Sequence, residues 1–273
     1  MIEATLHWPV IIYPHYCPHD ANRFVLITAD FIGGDVFIYS VNLCSGEKQI
    51  VTSANNIKYA RWGAADWILF NAGTGPLYRV KSNGDSLTLL NNLNRMSGYF
   101  WINDGQNIFT KWQNNSLQYN LLLNINGEIL DTVATPITGG AYRNSLIATV
   151  SNYQGNPYLG VLSLADFQFT PLAVYELNSG LPSIDWLNDN SIIWSNYKGI
   201  HILDISTTQI TTIKATPCHN LRYASISAAQ DNSSKILTTR IEYIYVRPDS
   251  LVEYQRISLL DTNTGQERIL GLE

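Results

Sequence analysis

Residues 13–53, YPHYCPHDANRFVLITADFIGGDVFIYSVNLCSGEKQIVTS, contain four apolar segments of strand length. Short polar turns separate these segments: PHDANR (18–23), IGGD (32–35) and CSGE (44–47). Aromatic and β-branched residues favour strands, and residues such as Pro, Gly, Asn and Asp favour the turns between them. The stretch therefore predicts one small antiparallel sheet of four strands, each joined to the next by a tight turn.

The same order of strands and turns recurs five more times along the chain. Each unit has a residue, usually a large one, just before its first polar turn, and these residues are spaced 39 to 45 positions apart. They are Cys17, Trp62, Trp101, Tyr142, Trp186 and Ile226. The turn before the last strand recurs as CSGE, SNGD, INGE and TNTGQ. A period near 40–45 residues with four short strands is typical of a β-propeller blade.

We therefore predict an all-β chain folded as a six-bladed β-propeller with four antiparallel strands per blade. Residues 1–273 form a single domain, and the blades cover approximately residues 9–53, 54–93, 94–134, 135–178, 179–215 and 216–271. The aromatic residues before the turns are expected to pack between blades. Two points stay open: the segment EATLHW (3–8) could add a strand to the last blade, and Leu272–Glu273 resembles the remnant of a purification tag.

The composition excludes several classes of function. The net charge is −5 and there is no basic run, so a nucleic-acid partner is not expected. No apolar run is long enough to cross a membrane. The three cysteines include no CxxC pair, which argues against a disulfide framework or a structural zinc site. Only 14% of the residues are charged, against ~25% in an ordinary domain, which favours a periplasmic or other extracytoplasmic location.

The repeat resembles the blade of TolB-type propellers, a WD-repeat-like unit. The resemblance is clearest in PHYCPHDANRFVLITADFIGGDVFIYSVNLCSGEKQIVT (14–52), and it returns in FWINDGQNIFTKW (100–112) and IDWLNDNSIIWSN (184–196). It covers nearly the whole chain and implies the propeller fold. Many propellers of this type bind proteins or act as sensor domains, and some resemble the extracytoplasmic part of longer ToxR/CadC-type regulators. The resemblance does not define one function.

The start of blade 1 also resembles a segment of oligogalacturonate lyases, propeller enzymes in which a His-Pro-His strand start supplies metal ligands. Here His15 matches the second histidine. Tyr13 stands where the first histidine is expected, and Val10 stands at the position of an upstream glutamine. These two departures weigh against lyase chemistry.

A ligand site is expected where loops converge at the mouth of the central channel. If blades 6 and 1 are neighbours, the loop holding Cys218 and His219 approaches the start of blade 1. The candidate ligand-binding residues are therefore Tyr13, His15, His219, Asn220 and Arg222. They would form a polar or weakly metal-binding rim, although two unrelated exposed histidines are the simpler interpretation. We predict no catalytic residue, no metal-ligating residue and no cofactor.

Other charged residues in the repeat have simpler explanations. Arg61 and Asp185 stand one position before the aligned column in blades 2 and 5, on opposite sides of a six-bladed ring. We expect each to bond locally to backbone or to channel water. The four aspartates Asp20, Asp66, Asp104 and Asp189 follow the first strand, where an aspartate commonly accepts hydrogen bonds from its own turn.

The sequence thus favours a non-catalytic binding or sensor propeller over an enzyme. Its partner would be a protein, a peptide or a small ligand at the channel mouth, and the chain could be the extracytoplasmic domain of a larger regulator. The alternative is a lyase or hydrolase that acts on carbohydrate or peptide from a site in the central channel.

Overall fold

A computed structural model describes the chain except for residues 1–9, 30–34, 74, 94, 115–116, 135–136, 138, 177–182, 217–219, 248–249 and 272–273. It confirms the predicted six-bladed β-propeller, because the strands form six sheets of four antiparallel strands each. The strands of every sheet are consecutive in the chain. The segment 3–8 and the dipeptide 272–273, on which the sequence left questions open, lie outside the described residues.

The first three blades contain the following strands. Blade 1 has β1 (Val10–Cys17), β2 (Asp20–Ala29), β3 (Asp35–Asn42) and β4 (Lys48–Asn55). Blade 2 has β5 (Ile57–Trp62), β6 (Trp67–Ala72), β7 (Leu77–Lys81) and β8 (Thr88–Asn91). Blade 3 has β9 (Met96–Ile102), β10 (Asn107–Asn114), β11 (Leu117–Asn124) and β12 (Ile129–Val133). Single 3₁₀ turns at Ala64–Asp66 and Asn103–Gly105 connect the first two strands of blades 2 and 3.

The last three blades follow the same plan. Blade 4 has β13 (Ala141–Arg143), β14 (Leu146–Tyr153), β15 (Asn156–Ser163) and β16 (Phe169–Val174). Blade 5 has β17 (Ser183–Asn188), β18 (Ser191–Asn196), β19 (Gly199–Asp204) and β20 (Ile210–Ala215). Blade 6 has β21 (Leu221–Ala228), β22 (Lys235–Arg247), β23 (Ser250–Asp261) and β24 (Glu267–Ile269).

The apolar strands are explained by burial on both faces of each blade. In β6, Ile68 and Phe70 pack against blade 1, whereas Leu69 between them packs against blade 3. Successive side chains of a strand point to opposite faces, so a strand sandwiched between two sheets is apolar at every position. A single blade could not bury both faces, and the ring of six provides a neighbour for each.

The ring closes through side-chain packing between blades 6 and 1. Tyr16 and Phe24 of blade 1 share a buried cluster with Leu237 and Ile257 of blade 6. The Tyr16 N–H donates a hydrogen bond of 3.0 Å to Ser227 Oγ, which joins the two innermost strands. In the described part of the chain, no strand is exchanged between the first and last blades.

The helical content of the described chain is limited to the two short 3₁₀ turns. Neither turn has the length or the hydrophobicity that a membrane-spanning helix requires, and the described residues contain no other helix.

Candidate ligand-binding channel

The innermost strand of each blade lines a central channel. Two rings of residues follow one another along it, with one residue from each blade. The narrow ring consists of Tyr13, Tyr59, Gly98, Gly139, Ser183 and Ser225. The channel ring, two residues further along each strand, consists of His15, Arg61, Phe100, Ala141, Asp185 and Ser227. The channel ring lies on the side of the turns between the first and second strands, which we call the inner-turn face.

The two spaces that these rings line differ in size. On the inner-turn face, the channel ring and the adjoining turns enclose a cavity of about 370 Å³. The narrow ring lines a space of only about 40 Å³, where the rings of Tyr13 and Tyr59 lie 4.8 Å apart between centroids. Cavities that hold small ligands or peptide side chains are typically ~300–1,000 Å³ in volume. The inner-turn face therefore carries the larger candidate site.

Asp185 is a buried carboxylate whose bonds are made to backbone. Its Oδ1 accepts a 2.8 Å hydrogen bond from the Trp186 N–H, and its Oδ2 accepts a 2.7 Å bond from the Ala228 N–H of the next blade. Burial raises the pKa of Asp185 from 3.8 to about 6, although these two N–H groups favour the ionised form. Asp185 thus connects blades 5 and 6 while facing the channel.

Arg61 has no comparable partner. Within the described ranges, no carboxylate lies within 4.0 Å of its guanidinium and no side-chain hydrogen bond is formed by it. Its side chain is half-buried and borders both the large cavity and the narrow space. Arg61 is therefore a channel cation whose charge no neighbouring side chain of the described residues neutralises.

His15 stands beside Arg61 in the ring. Its Nδ1 lies 3.0 Å from the carbonyl oxygen of Tyr16, so Nδ1 carries the proton and Nε2 is left as an acceptor. Burial, together with the charge of Arg61, lowers the pKa of His15 to about 3. The imidazole is therefore neutral at physiological pH and offers a hydrogen-bond acceptor next to a cationic donor.

Aromatic residues between the blades hold this arrangement in place. Trp101 Nε1 donates to the carbonyl oxygen of Arg61 at 3.3 Å, and Trp186 Nε1 donates to that of Ala141 at 2.9 Å. Gly63 allows the first contact, because a Cβ there would lie 2.1 Å from the Trp101 ring. The expectation that tryptophans of the repeat pack between blades is confirmed by these contacts.

A second arginine at the cavity has its charge balanced. Arg143 forms an ion pair with Asp189 of blade 5, and it donates hydrogen bonds of 3.0 Å to Gln230 Oε1 and 3.3 Å to Asn232 Oδ1 of blade 6. Its guanidinium holds the pKa of Asp189 below the usual range. Arg143 therefore joins the inner turns of three consecutive blades at the rim of the cavity.

The structure separates the site residues predicted from sequence. His15 lines the large cavity, and Tyr13 lines the narrow space on the other side of Arg61. The Arg222 guanidinium lies 5.1 Å from the centre of the Tyr243 ring, and Arg222 borders neither channel space. Asn220 is exposed. His219, like Cys218 beside it, lies outside the described residues, so the predicted histidine pair stays a prediction.

In blades 1 and 6, the residue that follows the channel ring is not the one that the sequence alignment predicted. The residue after each channel-ring position is Tyr16 in blade 1 and Ala228 in blade 6, rather than Cys17 and Ile226. The first strands of both blades are irregular, with register shifts between Tyr16 and Cys17 and between Ala224 and Ile226. With this register, Arg61 and Asp185 stay at equivalent positions.

The four turn aspartates have different roles. Asp20 accepts the Asn22 N–H at 2.9 Å, as expected of a turn residue. Asp66 lies 4.0 Å from Arg23, and Asp189 pairs with Arg143. Asp104 borders the large cavity. Among the residues that the structure describes, no three His, Cys, Asp or Glu side chains are grouped as a metal site would require.

Neither the known protein-family models nor the curated proteins contain a match to this chain. Solved structures do match. A structure described as putative TolB from Agrobacterium tumefaciens has a TM-score of 0.68 at 13% identity, and the match covers 85% of this chain and 87% of that chain. At this level of identity the likeness concerns the fold.

Two further propellers are also similar. An oligogalacturonate lyase in complex with manganese has a TM-score of 0.57 at 11% identity, covering 95% of this chain and 77% of that chain. A chain of a nidogen/laminin complex has a TM-score of 0.57 at 13% identity, covering 74% of this chain and 79% of that chain. The resemblance to TolB-type propellers, and the more distant one to oligogalacturonate lyases, is thus confirmed as a likeness of fold.

Proposed function

We propose that this chain is a non-catalytic binding module that holds a peptide segment of a partner protein in the large cavity on the inner-turn face. The observation that carries the proposal is the 370 Å³ cavity with its mixed wall. Phe100 and Trp101 provide apolar surface, while Arg61 and His15 provide hydrogen-bonding groups. A wall of this kind suits a peptide, which presents both backbone polar groups and side chains.

Two considerations favour binding over catalysis. Both oxygens of Asp185 already accept backbone N–H groups, so its carboxylate is occupied in holding two blades together. One of the similar structures belongs to a nidogen/laminin complex, which is an assembly between proteins. A rigid ring with loops at its mouth is also a common scaffold for protein recognition.

The second candidate function is an enzyme that acts on carbohydrate or peptide. The observation in its favour is Asp185, whose pKa of about 6 suits an acid or base near neutral pH. Turnover of oligosaccharides or peptides by the wild-type chain, abolished in Asp185→Asn, would establish it. Binding without turnover in both proteins would support the binding module instead.

We further propose that the module lies outside the cytoplasm, as the sensor domain of a larger ToxR/CadC-like regulator. The low content of charged residues, 14%, supports a periplasmic location. A reporter enzyme active only in the periplasm, fused to the natural gene product, tests this. Reporter activity is expected, and activity confined to a cytoplasmic reporter would contradict the proposal.

The binding proposal is tested by selecting peptides from a displayed library on the wild-type propeller. Each selected peptide is then measured against Ala141→Trp, which adds a bulky side chain at a residue that lines the cavity. The matched control is Ala165→Trp, on an exposed turn of the same blade. Peptides that bind the wild type and Ala165→Trp but not Ala141→Trp support the proposal. Equal binding to all three proteins would contradict it.

A further inference from the structure

We infer that the peptide enters the cavity with its C-terminus and that its terminal carboxylate binds the Arg61 guanidinium. The inference rests on the proposed function and adds the chemistry of the bound group. It follows from the two charged residues of the channel ring. Arg61 of blade 2 lacks a partner among the described residues, and Asp185 of blade 5 already accepts two backbone N–H groups.

Arg61 is available to an incoming anion. It borders the large cavity, and no described carboxylate lies within 4.0 Å of its guanidinium. A half-buried charge without a partner has lost part of its hydration, so an anion that reaches it gains more than it would at an open surface. The Trp101 contact to the Arg61 carbonyl fixes the backbone from which the side chain extends.

Two other charged groups of the cavity, Asp185 and Arg143, already have partners. Asp185 lies in the opposite blade and accepts the N–H groups of Trp186 and Ala228. Arg143, the second cation at the cavity, is paired with Asp189. Arg61 is therefore the cation of the described channel that is left for a ligand.

A carboxylate suits this site better than a phosphate. Its two oxygens match the planar fork of the guanidinium, and it carries a single charge. A phosphate carries a charge of about −1.5 to −2 and would face Asp185 and Asp104 in the same cavity. The negative side chains on the wall therefore select against the more highly charged group.

The neighbouring residues suit the end of a peptide chain. His15, in the next blade of the channel ring, presents Nε2 as an acceptor, which the last amide N–H of a peptide can satisfy. On the other side of Arg61, Phe100 and Trp101 offer apolar surface to the last side chain. We therefore expect a preference for an apolar residue at the peptide C-terminus.

The test compares two libraries of identical peptide sequences, one ending in a free carboxylate and one in a carboxamide. Binding to the wild-type propeller is expected from the free acids, with affinity reduced about ten- to a hundredfold in the amides. Equal binding by acids and amides would overturn the inference while leaving the proposed function intact. Failure of every peptide to bind better to the wild type than to Ala141→Trp would overturn both.

Two variants test whether Arg61 is the residue that binds the peptide carboxylate. Arg61→Gln should reduce the affinity for a free-acid peptide to that of its amide, and the amide should bind both proteins equally. Arg256→Gln is the control, because Arg256 is exposed on β23 outside the channel. If Arg61→Gln binds the free acid as tightly as the wild type does, the assignment is wrong. The comparison of acid with amide needs only the wild-type protein, so it stands even if a variant does not fold.

Discussion

Arg61 and Asp185 occupy equivalent positions in opposite blades of the propeller, and they face the same cavity without forming an ion pair. The difference between them lies in their bonds. Asp185 is held by two backbone N–H groups, whereas the Arg61 guanidinium has no partner within the described residues. Asp185 therefore stabilises the contact between two blades, whereas Arg61 is available to bind a ligand.

The first prediction concerns the bond between blades 5 and 6. Asp185→Ala should lower the free energy of unfolding by about 2 kcal/mol, because it leaves the N–H groups of Trp186 and Ala228 without their acceptor. Urea denaturation measures the change. Asp35→Ala is the control, since Asp35 is exposed. Equal stability of the Asp185 and Asp35 variants would contradict the structural role.

The second prediction concerns pH. The pKa of Asp185 rises from 3.8 to about 6 on folding, so between these values the folded state binds a proton that the unfolded state has released. The stabilisation by that proton is complete below pH 3.8 and is lost as the pH rises through 6. The unfolding free energy of wild type relative to Asp185→Asn should therefore fall by about 2.4 kcal/mol between pH 4 and pH 7. A constant or rising difference would contradict the raised pKa.

The third prediction concerns His15. Because burial and Arg61 lower its pKa to about 3, the imidazole should stay neutral from pH 8 to pH 5. An NMR titration of the ring carbons, with the signal assigned by His15→Gln, should show no midpoint in this range. A midpoint near 6.5 would show that the ring is solvated. It would also remove the neutral Nε2 acceptor from the proposed site.

The fourth prediction compares two tryptophans at equivalent positions. Trp186 Nε1 donates to the carbonyl oxygen of Ala141, whereas Trp62 Nε1 is buried and has no partner among the described residues. Both Trp→Phe substitutions lose packing, and only the one at 186 also loses a hydrogen bond. Trp186→Phe should therefore be the more destabilising by about 1 kcal/mol in urea denaturation. An equal loss at both positions would argue against the bond between blades 4 and 5.

Much of the fold could be predicted from the sequence because its signals are local. The turn CSGE recurs because Asn42 Oδ1 accepts the N–H groups of Cys44 and Ser45, a bond made within a few residues. The apolar strands between such turns indicate burial on both faces. The turn is kept in four of the six blades and the apolar strands in all six, and their period of about 40–45 residues defined the architecture.

The position of the larger cavity could not be predicted in this way. The narrow space depends on Tyr13 and Tyr59, whose rings meet only after two blades have packed together. Tyr13 also has a positive φ of 54°, at a bulge that strand periodicity does not reveal. The sequence did place Arg61 and Asp185 in opposite blades, but the lack of a partner for Arg61 depends on contacts from the whole ring.

The central claim is that the ligand binds on the inner-turn face of the channel, and the most direct test is to fill the large cavity in one variant and to enlarge the narrow space in another. The dissociation constant of one selected peptide should be measured for the wild type, for Ala141→Trp in the large cavity and for Tyr13→Ala in the narrow space. We predict that Ala141→Trp abolishes binding and that Tyr13→Ala leaves the dissociation constant within about twofold of the wild-type value, a change of less than 0.5 kcal/mol. Loss of binding in Tyr13→Ala with full binding in Ala141→Trp would contradict the claim.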